Sequence, residues 1–215
     1  MHCPVCETPG AVFFQRVEAR DYWRCLACEA TFLEPGQRPG PDAELAQYRL
    51  HRNLPGDAGY RQFLGRLATP LLDRLPPAQH GLDYGCGPGP ALAAMLREAG
   101  HTLALYDPFF FADPAVLTRC YDFITCTEAA EHFHHPAREF ARLDGLLAPG
   151  GLLAVMTSFL DDDARFENWH YRRDPTHVVF YRAATFRHLA RHYGWACEIP
   201  GPNLAMLRKP GQAGR

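Results

Sequence analysis

The chain has 215 residues, of which 47% are hydrophobic and 21% are charged, the balance of an ordinary globular protein with enough apolar residues for a core. Its formal net charge of −2 creates no field that would draw the whole protein to nucleic acid or to a membrane surface, so neither DNA nor a membrane is expected as a partner. No uncharged apolar run approaches the ~18 residues of a transmembrane helix, and no basic and then apolar leader follows Met1, so a cytoplasmic location is expected.

Four of the eight cysteines form two pairs near the start of the chain. Cys3 and Cys6 make one Cys-x-x-Cys pair, Cys25 and Cys28 make the other, and eighteen residues separate the pairs. This spacing is typical of a zinc ribbon, in which two turns hold one structural Zn²⁺ through four thiolates. A redox dithiol needs one pair only and leaves the second unexplained. Residues 1–34 are therefore predicted to form a zinc ribbon.

The residues between and after the cysteine pairs predict short strands and then helices. Aromatic and β-branched residues predict strands at 11–14, 22–24 and 31–33. Residues 35–77 begin with a proline-rich linker, after which Asp42 is expected to cap a helix that ends near residue 52. A second helix is predicted over 59–75 from its apolar spacing, with Pro70 bending or dividing it.

A glycine-rich segment, Leu-Asp-Tyr-Gly-Cys-Gly-Pro-Gly-Pro at 82–90, follows a short apolar run and precedes a helical pattern. Its three glycines, at every second position, let the backbone turn sharply and approach a ligand closely. A dinucleotide-binding fingerprint has its third glycine one residue later, and Asp83 would repel a pyrophosphate. The same carboxylate suits a ligand with an ammonium group, such as S-adenosylmethionine.

The remaining two thirds of the chain, roughly, alternate between strand and helix patterns. Strands are predicted at 81–84, 103–107, 122–127 and 152–157, helices at 91–99, from 136 onwards and at 184–193, and a closing hairpin at 195–199 and 203–207. This alternation predicts an α/β fold with a Rossmann-like, doubly wound, mostly parallel sheet and an antiparallel edge strand, over residues 78–208. A third strand has little room, because only thirteen residues separate Asp107 from Tyr121. Residues 209–215 are expected to form a flexible tail.

In this order, the segments resemble the motifs of the class I S-adenosylmethionine-dependent methyltransferases. The resemblance lies in residues 82–89 (motif I), 103–107 (a second strand that ends in an acid), 121–132 (the fourth strand and the loop after it) and 147–153 (the turn into the fifth strand). The cysteine pairs and residues 169–181 resemble a bacterial subgroup that carries an N-terminal zinc ribbon. An ordered set of motifs is far more specific than any one of them.

The resemblance implies S-adenosylmethionine as the cofactor, bound at the carboxyl ends of the parallel strands. Asp83 is expected to hold its amino-acid end, and Asp107 its ribose hydroxyls. The full predicted set of cofactor-binding residues is Asp83, Gly85, Cys86, Gly87, Gly89, Asp107, Thr127 and Glu128.

In the family, helices before the first strand cover the cofactor, and an acid after the third strand often receives the adenine amino group. The first property makes Tyr48, His51, Asn53 and Tyr60 candidate lid residues, although plain helix surface is the alternative for each of them. For the second property, Asp113 is the available acid, but its position fits poorly with an adenine contact.

The segment 161–181 contains more His, Trp, Tyr and Arg than a connector requires. The predicted acceptor contacts are Trp169, His170, Tyr171 and Tyr181, with packing on the sheet as the alternative for the aromatic residues. The candidate catalytic residues are His132, His177 and Glu131, since a histidine near neutral pKa suits removal of a proton from the acceptor. For His177, a buried and hydrogen-bonded core position is the alternative.

The leading hypothesis is methyl transfer to an O, N, S or C atom of a small-molecule acceptor. One alternative is an RNA methyltransferase that uses its zinc ribbon for RNA contact, with Arg165, Arg172, Arg173 and Arg182 as a local basic patch. Another is a scaffold that keeps the cofactor-binding fold without catalysis.

Overall fold

The structure, a computed structural model, describes residues 1–50 and 54–212. His51 and Asn53, two of the predicted lid residues, and residues 213–215 of the predicted tail lie outside the described residues. Within the described ranges, no helix combines the length and the apolar character needed to cross a bilayer.

A small antiparallel sheet holds the N-terminal region. Its strands are β1 (Val12–Val17), β2 (Arg20–Arg24) and β3 (Thr31–Leu33), and they pair in that order. The tight turn between β1 and β2 places Glu18 and Ala19 at positive φ. A fourth strand, β8 (Val179–Phe180), comes from the far end of the chain and pairs with β3. The three predicted N-terminal strands are present, whereas the pairing with β8 had no signal in the sequence.

The second sheet has six strands in the order β5-β4-β6-β7-β10-β9. Its members are β4 (His80–Tyr84), β5 (Thr102–Tyr106), β6 (Tyr121–Thr127), β7 (Leu147–Met156), β9 (Ala196–Gly201) and β10 (Leu204–Arg208). The first four strands are mutually parallel, and β10 runs antiparallel to both β7 and β9. The predicted Rossmann-like mixed sheet is confirmed.

After β5 the described chain adds no further strand to this side of the sheet. Asp107 and Phe111 form an isolated bridge, and a short 3-10 helix, Pro114–Thr118, leads back to β6. The side chain of Asp113 accepts a hydrogen bond from the Ala115 amide at 2.9 Å and so caps this short helix. The thirteen-residue connection therefore replaces the strand and helix that a longer connection would form.

The described ranges contain five α-helices. They are α1 (Pro41–Tyr48), α2 (Ala58–Leu72), α3 (Ala91–Glu98), α4 (Pro136–Leu146) and α5 (Ala183–Tyr193). The helix predicted from Asp42 to about residue 52 is shorter and begins after Gly40, with no side-chain cap. The second helix is capped by Asp57, and Pro70 lies inside it without dividing it.

Alternate residues of β7 face two different apolar layers. Leu152, Ala154 and Met156 pack with the buried residues of α2 and α3. Leu153 and Val155 belong to the layer on the other face, which includes α4, α5 and the buried residues of the N-terminal sheet. The N-terminal sheet and the larger sheet therefore share one continuous core.

The predicted tail begins too early. The Lys209 amide donates to the Gly151 carbonyl at 2.9 Å, and the Gly150 amide donates to the Pro210 carbonyl at 3.0 Å. The Lys209 ammonium also lies 3.2 Å from the carboxylate of Asp144. Residues 209 and 210 are thus held against the turn that enters β7.

Candidate active site

A cavity of about 680 Å³ lies at the carboxyl ends of the parallel strands. Its walls come from the glycine loop after β4, the end of β5, the loop after β6, and residues of α1, α2 and the 161–181 segment. All eight predicted cofactor-binding residues line it: Asp83, Gly85, Cys86, Gly87, Gly89, Asp107, Thr127 and Glu128. Asp113, the candidate for the adenine contact, does not line the cavity, because it caps the short helix Pro114–Thr118.

The glycine loop requires glycine at its first turn. Gly85 has φ +78°, and a β-carbon built there would lie 2.5 Å from the β-carbon of Ala129. The amides of Gly85 and Cys86 both donate to the Tyr106 carbonyl, at 2.8 and 3.2 Å, which fixes the loop against the end of β5. Gly87 also has positive φ, +62°, with open space where a side chain would be. The loop therefore presents bare backbone to the cavity.

Asp83, at the end of β4, is buried at the cavity wall. Burial raises the pKa of its carboxyl to about 6, against the opposing hydrogen bond from the Thr125 hydroxyl at 2.8 Å and the charge of Arg97. A buried carboxylate without a cationic partner in contact is costly, so this position favours a ligand that brings positive charge.

Asp107 anchors the backbone on both sides of the cavity mouth. Its carboxylate accepts hydrogen bonds from the amides of Gly87 at 3.0 Å, Phe109 at 2.8 Å and Phe110 at 3.1 Å. Asp107 thus holds the glycine loop in place whether or not it also contacts a ribose.

The two helices before β4 contribute side chains to the cavity wall. Tyr48 of α1 and Tyr60 of α2 both line it, as the lid hypothesis expects. The ring of Tyr48 makes edge contacts with Phe109 and His132, at centroid separations of 5.3 and 5.1 Å. Burial raises the pKa of Tyr60 to about 12, with Asp83 adding to the rise.

A polar network on one wall was not predicted from the sequence. The Tyr84 hydroxyl donates to the Glu139 carboxylate, and Arg142 donates to both, at 2.9 Å to the hydroxyl and 2.8 Å to the carboxylate. Tyr106 stacks on Tyr84 at 5.1 Å. The Glu139–Arg142 spacing is a local signal for an ion pair on α4, but nothing local links it to Tyr84.

The three candidate catalytic residues form one cluster. Glu131, His132 and His177 each offer a carboxylate oxygen or ring nitrogen, and these atoms lie within 4.8 Å of one another. His132 Nδ1 lies 3.0 Å from the Thr176 carbonyl, and His177 Nδ1 lies 2.7 Å from the Tyr171 carbonyl. Because a carbonyl only accepts, each Nδ1 carries the proton, and each Nε2 keeps a free lone pair.

Burial shifts the pKa values of titratable groups in and beside this cluster. Glu131 is fully buried, and neither carboxylate oxygen has a hydrogen-bond partner among the described residues. Burial raises the pKa of Glu128 to about 9, and repulsion from Glu131 adds to the rise. Burial also lowers the pKa of His177 to about 4, so its ring is neutral at physiological pH. The site thus holds two largely buried acids and a neutral imidazole.

The predicted acceptor contacts divide into two groups. His170 and Tyr171 line the cavity, and the Tyr171 hydroxyl is 2.9 Å from the Thr157 hydroxyl. Trp169 and Tyr181 do not line it. Trp169 packs on Phe180, and Tyr181 is fully buried with its hydroxyl donating to the Ala130 carbonyl. For these two, the packing alternative is the correct one, because their rings fill the core between the two sheets.

The four N-terminal cysteines converge as their spacing predicts. Their sulfur atoms all lie within 4.8 Å of one another, and two pairs, Cys3–Cys28 and Cys6–Cys25, are 3.6 Å apart. The amides of Val5 and Cys28 point at the sulfurs of Cys3 and Cys25, at 3.4 and 3.5 Å. Such amide contacts stabilise thiolates.

The 161–181 segment is attached to the N-terminal sheet on one side and to the cavity on the other. The guanidinium of Arg172 is buried against the carboxylate of Glu18 at 3.2 Å. The Leu33 amide donates to the Val178 carbonyl, and the Val178 amide donates to the Glu131 carbonyl, both at 2.9 Å. A continuous hydrogen-bonded path thus joins β3 to Glu131 of the candidate catalytic cluster.

Comparison with known proteins gives a family and a fold. A family model described as a methyltransferase domain matches residues 56–198, more than half of the chain. No curated protein sequence matches.

Several solved structures have a similar fold at low sequence identity. A 1,6-didemethyltoxoflavin-N1-methyltransferase from Burkholderia thailandensis, with its acceptor and S-adenosylhomocysteine bound, is 16% identical over 93% of this chain and 99% of its own, with a TM-score of 0.55. The N-methyltransferase NodS from Bradyrhizobium japonicum, bound to S-adenosylhomocysteine, is 16% identical over 78% and 97%, with a TM-score of 0.50. An O-methyltransferase family protein from Burkholderia thailandensis is 17% identical over 80% of this chain, which spans 63% of that protein, with a TM-score of 0.48.

The family match begins before β4 and ends in β9, so it contains the glycine loop and most of the cavity. At these identities the two structures with TM-scores of 0.55 and 0.50 support the fold alone. The chain therefore belongs to the methyltransferase-domain family, and its predicted identification as a class I S-adenosylmethionine-dependent methyltransferase is confirmed.

Proposed function

We propose that this protein transfers the methyl group of S-adenosylmethionine to a small-molecule acceptor inside the cavity at the ends of β4, β5 and β6. The observation that carries the proposal is that the eight cofactor residues and two histidines of the catalytic cluster line the same cavity. Its volume of about 680 Å³ falls within the range of pockets that bind small ligands.

The cofactor's ammonium group would lie near Asp83, where its charge compensates a buried carboxylate. Asp107 would receive the ribose hydroxyls with the acceptor capacity that its three amide bonds leave free, since a carboxylate has about four lone-pair sites. The bare backbone at Gly85 and Gly87 would lie beside the amino-acid portion. Gly89, Cys86, Thr127 and Glu128 complete the proposed cofactor wall.

The acceptor would bind between the catalytic cluster and the cavity surface of His170 and Tyr171. In this position His132 and His177, which line the cavity, can withdraw a proton from the acceptor as it attacks the methyl carbon, while Glu131 lies buried beside them. Proton removal by a positioned side chain typically contributes about 10²–10⁴ in rate. His132→Ala is therefore expected to bind the cofactor normally and to lose turnover by about this factor.

We also propose that Cys3, Cys6, Cys25 and Cys28 hold one structural zinc ion. Four thiolates at ~2.3 Å around a tetrahedral ion lie about 3.8 Å apart, close to the two 3.6 Å separations in this structure. Because the four cysteines fill every position of a tetrahedral ion, the zinc would be structural. Elemental analysis of the purified protein should find one zinc per chain.

Of the alternatives, the RNA methyltransferase has less support. Three arginines of the suggested RNA-binding patch are engaged by acids of the protein itself: Arg165 by Asp161, Arg172 by Glu18, and Arg182 by Asp163. A patch neutralised in this way contributes little to phosphate binding.

The test is a screen with methyl-labelled cofactor against small-metabolite extracts and against RNA. We expect label to appear in the small-molecule fraction only. Label in RNA would favour the RNA alternative, whereas cofactor binding without transfer to either fraction would favour a non-catalytic scaffold. Failure to bind the cofactor at all would overturn the proposed function.

A further inference from the structure

The cluster of Glu131, His132 and His177 has the composition and the surroundings of a metal site. We propose that it binds a divalent transition-metal ion, separate from the four-cysteine site, at the acceptor end of the cavity. Two imidazoles and one carboxylate are a donor set that suits ions such as Fe²⁺, Mn²⁺, Co²⁺ and Zn²⁺.

The spacing of the donor atoms fits an ion with a small adjustment. All three donor atoms lie within 4.8 Å of one another, and His132 Nε2 is 3.9 Å from Glu131 Oε1. Ligand atoms at ~2.1 Å around a tetrahedral ion are about 3.4 Å apart. The largest possible difference, about 1.4 Å, closes when each of two side chains shifts by roughly 0.7 Å.

Both histidines use Nδ1 in a hydrogen bond to a backbone carbonyl, which leaves Nε2 as the nitrogen available to an ion. His132 Nδ1 donates to the Thr176 carbonyl and His177 Nδ1 to the Tyr171 carbonyl. Metal-binding histidines almost always donate their other ring N–H to a carbonyl or carboxylate, which fixes the tautomer and the ring orientation. Here the two carbonyls lie in the same short segment, so one loop orients both rings.

Glu131 supplies the strongest argument. Its side chain is fully buried, and neither oxygen has a hydrogen-bond partner in the described part of the chain. His132 Nε2, at 3.9 Å, is beyond hydrogen-bonding distance. The Tyr171 hydroxyl is 2.9 Å from the Thr157 hydroxyl and also interacts with the Glu131 carboxylate, but it brings no positive charge. An ionised carboxylate without a partner is very unfavourable in a protein interior, and a coordinated cation removes that cost.

The ion would reach the cavity, because His132 and His177 both line it. Three protein ligands leave at least one coordination position for a ligand oxygen. If the protein transfers methyl groups as proposed, this open coordination position identifies the acceptor class as one that presents a hydroxyl group. With an ion bound, the three side chains would serve as its ligands and no longer as the base. The ion would make the hydroxyl more acidic, so that its proton could pass to solvent; the oxygen would then form a bond to the methyl carbon as the carbon–sulfur bond breaks with its electron pair on sulfur, leaving the neutral thioether of the cofactor.

The test uses the full-length protein with its cysteine site already loaded with zinc. Mn²⁺ is the probe, because it prefers oxygen and imidazole ligands and competes poorly for thiolates. Binding is followed by loss of the free Mn²⁺ electron paramagnetic resonance signal. We expect one Mn²⁺ per chain. Glu131→Gln, His132→Gln and His177→Gln should each weaken binding by at least the ~10–100-fold that loss of an outer-shell partner costs.

His170→Gln is the matched control, since His170 lines the same cavity outside the cluster, and it should bind Mn²⁺ as the wild type does. If Glu131→Gln fails to fold, the two histidine variants still test the site. Absence of Mn²⁺ binding, or equal binding by all variants, overturns the metal site.

Cofactor binding is measured separately by calorimetry. Loss of cofactor binding with Mn²⁺ binding intact overturns the proposed function and leaves the metal site standing. Retained cofactor binding without Mn²⁺ binding overturns the metal site alone.

Discussion

The carboxyl of Asp83 should make cofactor affinity depend on pH. Its pKa of about 6 means that it begins to protonate just below neutrality, whereas the cofactor's ammonium stays charged there. Below pH 6 the affinity for S-adenosylmethionine is expected to fall about tenfold per pH unit, because only the ionised carboxyl attracts the ammonium. Calorimetric titrations between pH 5 and pH 7.5 measure this slope. Asp83→Asn should bind weakly at every pH with no slope, and a wild-type affinity that is flat over this range would contradict the assignment.

The same group should reduce the stability of the protein without cofactor. Because the pKa of Asp83 is higher in the folded chain than the ~3.9 of an unfolded one, ionisation opposes folding. The free energy of unfolding is expected to fall as pH rises from 4 through 6, by up to about 3 kcal/mol for a shift of about two units. Comparing denaturant unfolding of the wild type with that of Asp83→Asn isolates this contribution, and bound cofactor should largely remove it.

Gly85 should not tolerate a side chain. Alanine at its φ of +78° costs about 1–2 kcal/mol from the backbone alone, and its β-carbon would also meet Ala129 at 2.5 Å. We expect Gly85→Ala to lower the melting temperature and to abolish measurable cofactor binding. Gly65→Ala, in an open position on α2, is the control and should be neutral or stabilising. Normal cofactor binding by Gly85→Ala would show that the loop adapts.

At the scale of single residues, the sequence predicted those cavity residues whose role depends on their immediate neighbours in the chain. Asp83 and Gly85 are identified by their immediate neighbours, and both line the cavity as expected. Trp169 and Tyr181 could not be assigned in this way, because aromatic density does not reveal which side of a segment faces the core. Tyr84 was missed because its partners lie on α4, more than fifty residues later.

Among the secondary-structure elements, β8 connects the proposed zinc site to the proposed catalytic cluster of Glu131, His132 and His177. Its neighbour Val178 bonds to Leu33 through its carbonyl and to Glu131 through its amide. Loss of zinc should loosen the ribbon and, through β3, this connection. We expect Cys25→Ala to lose its zinc and to exchange the Val178 amide hydrogen faster, as measured by hydrogen–deuterium exchange.

Amides of β6, in the centre of the larger sheet, provide the internal control and should keep their protection. A Cys25→Ala protein that retains its zinc would contradict the four-cysteine site. A protein that loses zinc while Val178 remains protected would show that the ribbon and the cluster are independent.

The secondary-structure elements also show where the pattern of apolar residues is sufficient to predict a strand or helix. The strands that form the larger sheet were found from apolar runs bounded by turn residues, and the short connection after β5 correctly indicated that a third strand lacks room. By contrast, β8 has only two residues, too few for any period, and its partner β3 is remote in sequence. The start of α1 was misplaced, because Asp42 lies inside the first turn and makes no side-chain cap.

For the molecule as a whole, the shared core predicts cooperative unfolding. We proposed residues 1–34 as a ribbon, yet Tyr22 and Phe32 are buried in the same layer as Phe140 and Tyr181. The protein is therefore expected to unfold in a single calorimetric transition, with equal calorimetric and van't Hoff enthalpies. Two separate transitions, or a stable cooperative fold for a chain that lacks residues 1–34, would contradict a shared core.

The pairing of β3 with β8 also has a consequence for biosynthesis. Phe32 pairs with Val179, so the two partners are separated by about 150 residues of chain, and contacts of such long range form late. The ribosome releases the N-terminal strands long before β8 exists, which leaves β3 with one edge unpaired during most of translation. An unpaired edge is a template for association with other chains. Early capture of a metal ion by the cysteines of the first 28 residues would limit this exposure by fixing the nascent segment in its final shape.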